Sequence, residues 1–201
     1  MNVQTTADLD KAWNDLGGSF VLKKCYGGYD GYGTYFARNF SDLGELSSVV
    51  ANSDTAFIAE KMMSFKRELA IIFVRNTRGQ IINLPLVESK QTNGRCDYVL
   101  GPSKHPQLVK VQKKITAMMK KMDYVGALAF EFFDTGQELL VNEMAPRVHN
   151  SGHYSQDALS ESQFLLHLKA GLGHSLNKPK LLSKNFVMVN ILGGNDQPRI
   201  S

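Results

Sequence analysis

Apolar residues recur at helical spacing in some stretches of the chain and alternate or cluster as strands in others. Leu9, Trp13 and Leu16 mark one face of a helix that Thr5 or Thr6 caps and that Gly17-Gly18 ends. Phe20-Val21-Leu22-Lys23 follows as a strand, then a short helix over 42–50 and a strand over 55–60. Two more strands, 68–75 and 81–87, flank an Arg78-Gly79 turn. Downstream of Pro102, the residues Leu108, Val111, Ile115, Met118 and Met119 define the buried face of a helix over 105–122. The apolar runs 125–133 and 139–144 enclose Asp134-Thr135-Gly136-Gln137-Glu138, a hairpin signal. A helix over 160–172, ended by Gly173, and a strand over 186–192 complete the pattern. Hairpins with intervening helices predict an α+β fold with largely antiparallel sheets rather than a doubly wound parallel one.

Composition narrows the function classes. The 201 residues suffice for one large domain or two small ones sharing a core, and 43% hydrophobic with 21% charged residues is the balance of a globular chain. Disordered and collagenous classes are excluded. No apolar run approaches the ~20 residues of a membrane span, and the polar start Met-Asn-Val-Gln-Thr-Thr-Ala-Asp is unlike a signal peptide. A cytoplasmic protein without a membrane partner is expected. Cys25 and Cys96 lack CxxC spacing and are expected as reduced thiols. Basic residues number 23 against 19 acidic, a formal charge of +4, and they are scattered. That excess suits an anionic small molecule and not a nucleic acid, which calls for a dense basic stripe.

Three segments carry candidate chemistry. Gly27-Gly28-Tyr29-Asp30-Gly31-Tyr32-Gly33 follows a strand ending in Lys23-Lys24, so backbone N–H groups and an ammonium could converge on phosphate oxygens. Its glycine spacing is neither a Walker A nor a Rossmann fingerprint, and a flexible hairpin turn is an equal alternative on composition alone. The hairpin carries Glu131 on its first strand and Asn142-Glu143 on its second, and carboxylates within apolar strands are costly unless paired or metal-bound. A two-residue Thr135-Gly136 loop would put Glu131 and Glu143 on opposite faces. A three-residue Thr135-Gly136-Gln137 loop pairs Glu131 with Val141 and brings Glu143 to the same face, diagonal to Glu131. The second register is the expectation, with the pair holding Mg²⁺ that bridges nucleotide phosphates. Immediately downstream, Ala145-Pro146-Arg147-Val148-His149-Asn150-Ser151-Gly152-His153 concentrates hydrogen-bonding side chains in a loop marked by proline and glycine. Arg147, Asn150 and Ser151 match an anion clamp. The spacing of His149 and His153 would suit zinc on a helix, but Pro146 and Gly152 argue against one there and no third ligand is evident.

These strings together resemble one branch of the ATP-grasp family, the 5-(carboxyamino)imidazole ribonucleotide synthases. The similarity runs from about Phe20 to Leu192, and Asn142-Glu143-Met-Ala-Pro-Arg-Val-His-Asn-Ser-Gly-His is its most specific part. The resemblance implies two α+β subdomains enclosing a nucleotide site: a partial first subdomain, 1–60, with the glycine loop, and a second, 61–201, with the metal and substrate loops. By this resemblance Lys23 contacts the phosphates of ATP, and Gly28, Tyr29, Asp30, Gly31, Tyr32, Gly33 and Thr34 close over them. Glu60, Lys61, Met62 and Met63 face the adenine, and Glu68 accepts from the ribose hydroxyls. Glu131 and Glu143, helped by Asn142, bind Mg²⁺, and Asn142 and Glu143 also belong to the ATP site. Tyr29, Asp30 and Arg147 serve the carboxylation centre, while Arg147, His149, Asn150 and Ser151 hold the ribonucleotide.

The implied reaction is the carboxylation of 5-aminoimidazole ribonucleotide by ATP and bicarbonate in purine biosynthesis, with a homodimer for the full-length enzyme. Other ATP-grasp ligases, or a nucleotide-binding fragment without turnover, are the alternatives. Two departures from the family pattern stand out. Its histidine after Pro-Leu-Val-Glu is replaced by Gln91 within Lys90-Gln91-Thr92-Asn93-Gly94, leaving a hydrogen bonder in the ATP site. The family's amino-terminal Rossmann-like domain and small carboxy-terminal domain have no counterpart here, so an excised ATP-grasp portion is expected.

Overall fold

The computed structural model of the chain describes residues 1–28, 32–92 and 95–191. They form two compact units, one of residues 1–64 with Arg95, the first residue of a strand that otherwise belongs to the other, and a larger one of residues 65–92 and Cys96 onward. The first contains β1 (Asn2–Val3), α1 (Thr6–Leu16), β2 (Phe20–Lys24), β3 (Thr34–Ala37), α2 (Asp42–Ala51) and β4 (Phe57–Lys61). Its sheet has the order β1-β4-β2-β3, antiparallel throughout. The Asp8 carboxylate accepts the Thr5 N–H at 2.9 Å at the start of α1, and Gly17 ends the helix at φ 86°. Alternate strand residues Phe20, Leu22, Phe57 and Ala59 pack with Leu9 and Ala12 of α1 and Leu43, Leu46 and Val50 of α2. The intervening residues Val21, Lys23, Ile58 and Glu60 therefore belong to the face turned away from the helices.

The second unit contains β5 (Arg67–Arg75), β6 (Ile81–Asn83), β7 (Val87–Thr92), β8 (Arg95–Gly101), α3 (Leu108–Met122), β9 (Gly126–Asp134), β10 (Leu139–Ala145), a 3-10 turn over Asn150–Gly152, α4 (Ser155–Ala158), α5 (Gln163–Gly171) and β11 (Phe186–Val189). The sheet order is β10-β9-β5-β7-β8-β11, with β6 also on β5. Antiparallel pairing joins β5 to β6, β7 and β9, β9 to β10, and β8 to β11. One face packs Leu69, Ile71, Phe73, Leu128, Phe130 and Phe132 against Ile115 and Met119 of α3. The other packs Ala70, Ile72, Val74, Ala127 and Ala129 against Tyr154, Ala158 and, from α5, Leu166 and Ala170. Small residues on that face leave room for a helix and a loop to lie close to the sheet.

The antiparallel α+β architecture matches the periodicity, and several boundaries differ. The strand expected over 81–87 is interrupted: β6 ends at Asn83, and the buried Leu84 and Leu86 flank Pro85, which has no N–H for a ladder. Strand β7 begins at Val87, and neither its polar continuation nor β8 was visible in the pattern. Helix α3 starts at Leu108 rather than 105, because the Gln107 N–H donates to the His105 ring and Pro106 disfavours helical backbone at the residue before it. Helix α5 starts at Gln163, where Ser162 Oγ caps it by accepting the Leu165 N–H at 3.2 Å. Strand β11 ends at Val189, and the expected last residue, Leu192, lies outside the described residues. Among the described residues no helix is long and apolar enough to cross a membrane.

Candidate functional site

The β9–β10 hairpin sets the carboxylates by a route that differs from the expected one. Leu139 lies opposite Asp134, Leu140 opposite Phe133 and Val141 opposite Phe132, so the loop has four residues, Thr135 to Glu138. Gly136, at φ 89°, makes the turn, and its N–H donates to Asp134 Oδ1 at 2.7 Å. Continued unbroken, this register would set Asn142 opposite Glu131 and throw Glu143 to the reverse face. The ladder instead shifts between Val141 and Glu143, and Glu143 stands directly opposite Glu131. The expected Glu131–Val141 pairing is thus wrong, and the shared face comes from a bulge at Asn142 on an edge strand. Asn142 Nδ2 also donates to Glu131 Oε2 at 3.5 Å.

Further groups reach the same face by alternation. Ala70 lies opposite Glu131, Glu68 is two residues from Ala70 and opposite Ser89, and Gln91 is two residues beyond Ser89. Glu68, Ser89, Gln91, Glu131 and Glu143 therefore share one surface of the sheet. Burial raises the Glu68 carboxyl above its ordinary pKa, opposed in part by Lys90. Burial, with the neighbouring Glu131, Asp97 and Glu68 carboxylates, pushes the Cys96 thiol up to about 11. Cys96 is consequently a protonated core thiol and no nucleophile.

The loop after β10 is fastened from beneath. Gln163 is fully buried; its Oε1 accepts the His149 N–H at 2.9 Å and its Nε2 donates to the His149 carbonyl at 2.7 Å. Ser155 Oγ donates to the Gly152 carbonyl at 2.6 Å and accepts the Gln163 N–H at 2.9 Å. A Cβ at Gly152 would run into Ile72 Cδ1 and stand 2.7 Å from Gln163 Oε1, so a side chain here would push aside both groups beneath the loop. The His149 ring accepts the Ser151 N–H through Nδ1 at 3.3 Å and lies 2.9 Å from Ser151 Oγ. A neutral His149 therefore carries its proton on Nε2, which is 3.8 Å from Glu131 Oε1.

Asn150 accepts through Oδ1 from Asn190 Nδ2 at 3.0 Å. Arg147 is exposed and donates to the Val148 carbonyl at 3.0 Å. His153 packs against the Phe164 ring, and burial lowers its pKa. Gln163, Ser155 and Asn190 were not picked out as site residues. A polar amide at the start of a helix next to a donor-rich loop was the available signal for Gln163.

In the first unit, Lys23 Nζ lies 2.7 Å from Glu60 Oε2 on the face away from the helices. Both side chains are substantially exposed, 32% and 46%, so the pair orients them while contributing little stability. The family resemblance implies separate tasks for these two residues, phosphate and adenine, and the structure pairs them. Thr34 stands opposite Lys23, and the Lys24 N–H donates to the Gly33 carbonyl at 2.8 Å where the β2–β3 connection returns. Gly28 precedes and the exposed Tyr32 follows the segment Tyr29, Asp30 and Gly31, which lies outside the described residues. Lys61 ends β4, and Met62 and Met63 continue without regular structure.

Among the described residues no three His, Cys, Asp or Glu side chains gather as a metal cage. The hairpin offers two carboxylates and an amide oxygen, a hard donor set that fits Mg²⁺ when phosphates and water complete its shell.

The ATP-grasp domain model matches residues 1–164. The chain belongs to the ATP-grasp family. This ATP-grasp chain is 37% identical over 201 residues to the N5-carboxyaminoimidazole ribonucleotide synthase of Vibrio vulnificus (strain YJ016), covering 98% of the chain and 53% of that relative. Its backbone resembles the crystal structure of Staphylococcus aureus N5-carboxyaminoimidazole synthetase complexed with ADP, with a TM-score of 0.88, 35% identity and coverage of 96% and 51%. It also resembles the Aspergillus clavatus N5-carboxyaminoimidazole synthase in complex with ADP and 5-aminoimidazole ribonucleotide, with a TM-score of 0.81, 27% identity and coverage of 97% and 52%. The chain spans about half the length of the curated relatives it matches. The ATP-grasp fold and the family branch implied by the hairpin and loop strings are therefore those of its relatives.

Proposed function

We propose that this ATP-grasp chain carboxylates 5-aminoimidazole ribonucleotide with bicarbonate at the expense of ATP, giving 5-(carboxyamino)imidazole ribonucleotide, ADP and phosphate in purine biosynthesis. The observation that carries this reading is the continuity of two opposed carboxylates, Glu131 and Glu143, with a donor-rich loop pinned by Gln163. The named relatives, bound to ADP in one structure and to ADP with the ribonucleotide in another, support it.

In this reading Lys23 and the backbone of Gly28–Thr34 hold the phosphates, with Tyr29 and Asp30 near the carboxylation centre. Glu60, Lys61, Met62 and Met63 take the adenine, and Glu68 and Gln91 bond the nucleoside. Glu131, Glu143 and Asn142 would hold Mg²⁺, which supplies charge neutralisation at the transferring phosphoryl group. A bicarbonate oxygen attacks the γ-phosphorus and ADP leaves, giving carboxyphosphate. The exocyclic amine of the ribonucleotide then bonds to the carboxyl carbon, phosphate departs and the amine loses a proton. Arg147, His149, Asn150 and Ser151 orient the ribonucleotide so that its amine meets the labile carboxyphosphate before water does. A cytoplasmic location and a full-length homodimer accompany the reading.

ADP release with Mg-ATP and bicarbonate, with and without 5-aminoimidazole ribonucleotide, tests it. Ribonucleotide-stimulated release is expected. Nucleotide binding with no stimulation would overturn the carboxylase reading and leave a nucleotide-binding unit.

A further inference from the structure

We infer that Asn190, just beyond β11, is a positioning residue that sets Asn150 as a hydrogen-bond donor toward the ribonucleotide. The inference rests on the proposed reading of Asn150 as a substrate contact. Asn190 continues the strand pairing, its N–H donating to the Asp97 carbonyl at 2.9 Å. Its side chain meets two groups through one nitrogen: Nδ2 donates to the Cys96 carbonyl at 2.8 Å and to Asn150 Oδ1 at 3.0 Å.

The chemistry of those partners removes the usual ambiguity of amide orientation. A backbone carbonyl only accepts, so the Asn190 atom facing Cys96 must be the nitrogen. The second proton of that nitrogen faces Asn150, so the Asn150 atom there must be the oxygen. Asn150 is left with Nδ2, carrying two protons, as the amide end turned away from Asn190. A donor end suits the anionic and hydroxyl oxygens of a phosphorylated ribose, and a carbonyl end would repel them. Asn190 thus couples the β8–β11 pair, remote in sequence, to the polarity of the loop that follows the carboxylate hairpin. Its pairing with Asn150 spans 40 residues.

The test is calorimetric titration of the 201-residue chain with 5-aminoimidazole ribonucleotide in the presence of Mg-ADP, and separately with Mg-ATP. Asn190→Asp has no donor for either partner and lets the Asn150 amide turn over. It should weaken the ribonucleotide by roughly tenfold, the worth of a reversed hydrogen bond, and leave Mg-ATP within about twofold. In an Asn150→Ala background the same change should alter ribonucleotide affinity less than about twofold, a coupling that a merely structural role would not produce. Asn150→Asp keeps the acceptor for Asn190 and removes the donor end. It should lose at least as much ribonucleotide affinity as Asn150→Ala, and this arm holds even where an Asn190 variant fails to fold.

Unchanged ribonucleotide binding in a folded Asn190→Asp, alongside a loss in Asn150→Ala, would overturn the positioning role alone. Wild-type binding by Asn150→Asp would overturn it as well. No effect of Asn150→Ala, or no ribonucleotide binding by the unmodified chain, would overturn the substrate reading and this inference with it.

Discussion

The two faces of the seven-stranded sheet are built from the same strands and do opposite things. Against α3, the β5 and β9 residues Leu69, Ile71, Phe73, Leu128, Phe130 and Phe132 are all buried and apolar. On the other face, Ala70, Ala127 and Ala129 give way toward one end to Glu68, Ser89, Gln91, Glu131 and Glu143. Gathering carboxylates at the edge of a core destabilises a fold through desolvation and like-charge repulsion. A strand's period of two lets the first face stabilise what the second strains. The contrast predicts that substitutions on one face act on stability and those on the other on chemistry.

Glu143→Ala should give the largest effect. It removes half of the opposed carboxylate pair, and phosphoryl transfer should fall on the order of 10³-fold or more. The side chain is exposed, so thermal melting should barely move. Retained ADP release would remove Glu143 from the proposed metal site. Phe132→Ala, on the apolar face, should cost about 3–5 kcal/mol and lower Tm by roughly 10 °C. Nucleotide affinity measured well below the melt should survive, and a selective loss of affinity would break the division between faces.

Gln163→Leu tests how the loop is fastened, since it strips both bonds from the His149 backbone. Orphaned backbone groups cost about 1–3 kcal/mol each, and ribonucleotide affinity should fall further than Mg-ATP affinity in paired titrations. Equal losses for the two ligands would show that the loop does not serve the ribonucleotide.

The smallest effect concerns Glu68. Burial raises its pKa, so the folded chain binds this proton more tightly than the unfolded one. The stabilisation is full below the ordinary carboxylate value and lost as pH rises through the raised one. Glu68→Gln should therefore melt like the parent in acid and slightly higher near neutral pH. A neutral-pH loss of stability would mean that its attraction to Lys90 outweighs burial.

The hairpin was legible because two apolar runs flank a polar turn, and α1 because Thr5 and Gly17 bound an apolar stripe. The bulge at Asn142 was not, since counting loop residues yields one register for the whole strand and a mid-strand shift leaves no local signature. Strands β7 and β8 were missed because Ser89-Lys90-Gln91-Thr92 and Arg95-Cys96-Asp97 carry too few apolar positions to show a period. The candidate residues of the carboxylate strand and the donor loop stood out as residue types, Glu131, Asn142 and Glu143 in apolar strands and Arg147 to Ser151 in a loop marked by proline and glycine. Their supports did not: the bonds of Gln163 to His149 and of Asn190 to Asn150 span 14 and 40 residues. The Lys23–Glu60 pair belongs to the same class, because strand pairing creates it.

The most direct test of the central claim follows oxygen. With ¹⁸O-bicarbonate, Mg-ATP and 5-aminoimidazole ribonucleotide, attack of bicarbonate on the γ-phosphorus transfers one labelled oxygen to each phosphate released. Phosphate carrying one ¹⁸O, formed with labelled carbamate, is the predicted result. Unlabelled phosphate would mean that water is the acceptor, and it would contradict the assignment of this chain as a carboxylating ATP-grasp enzyme.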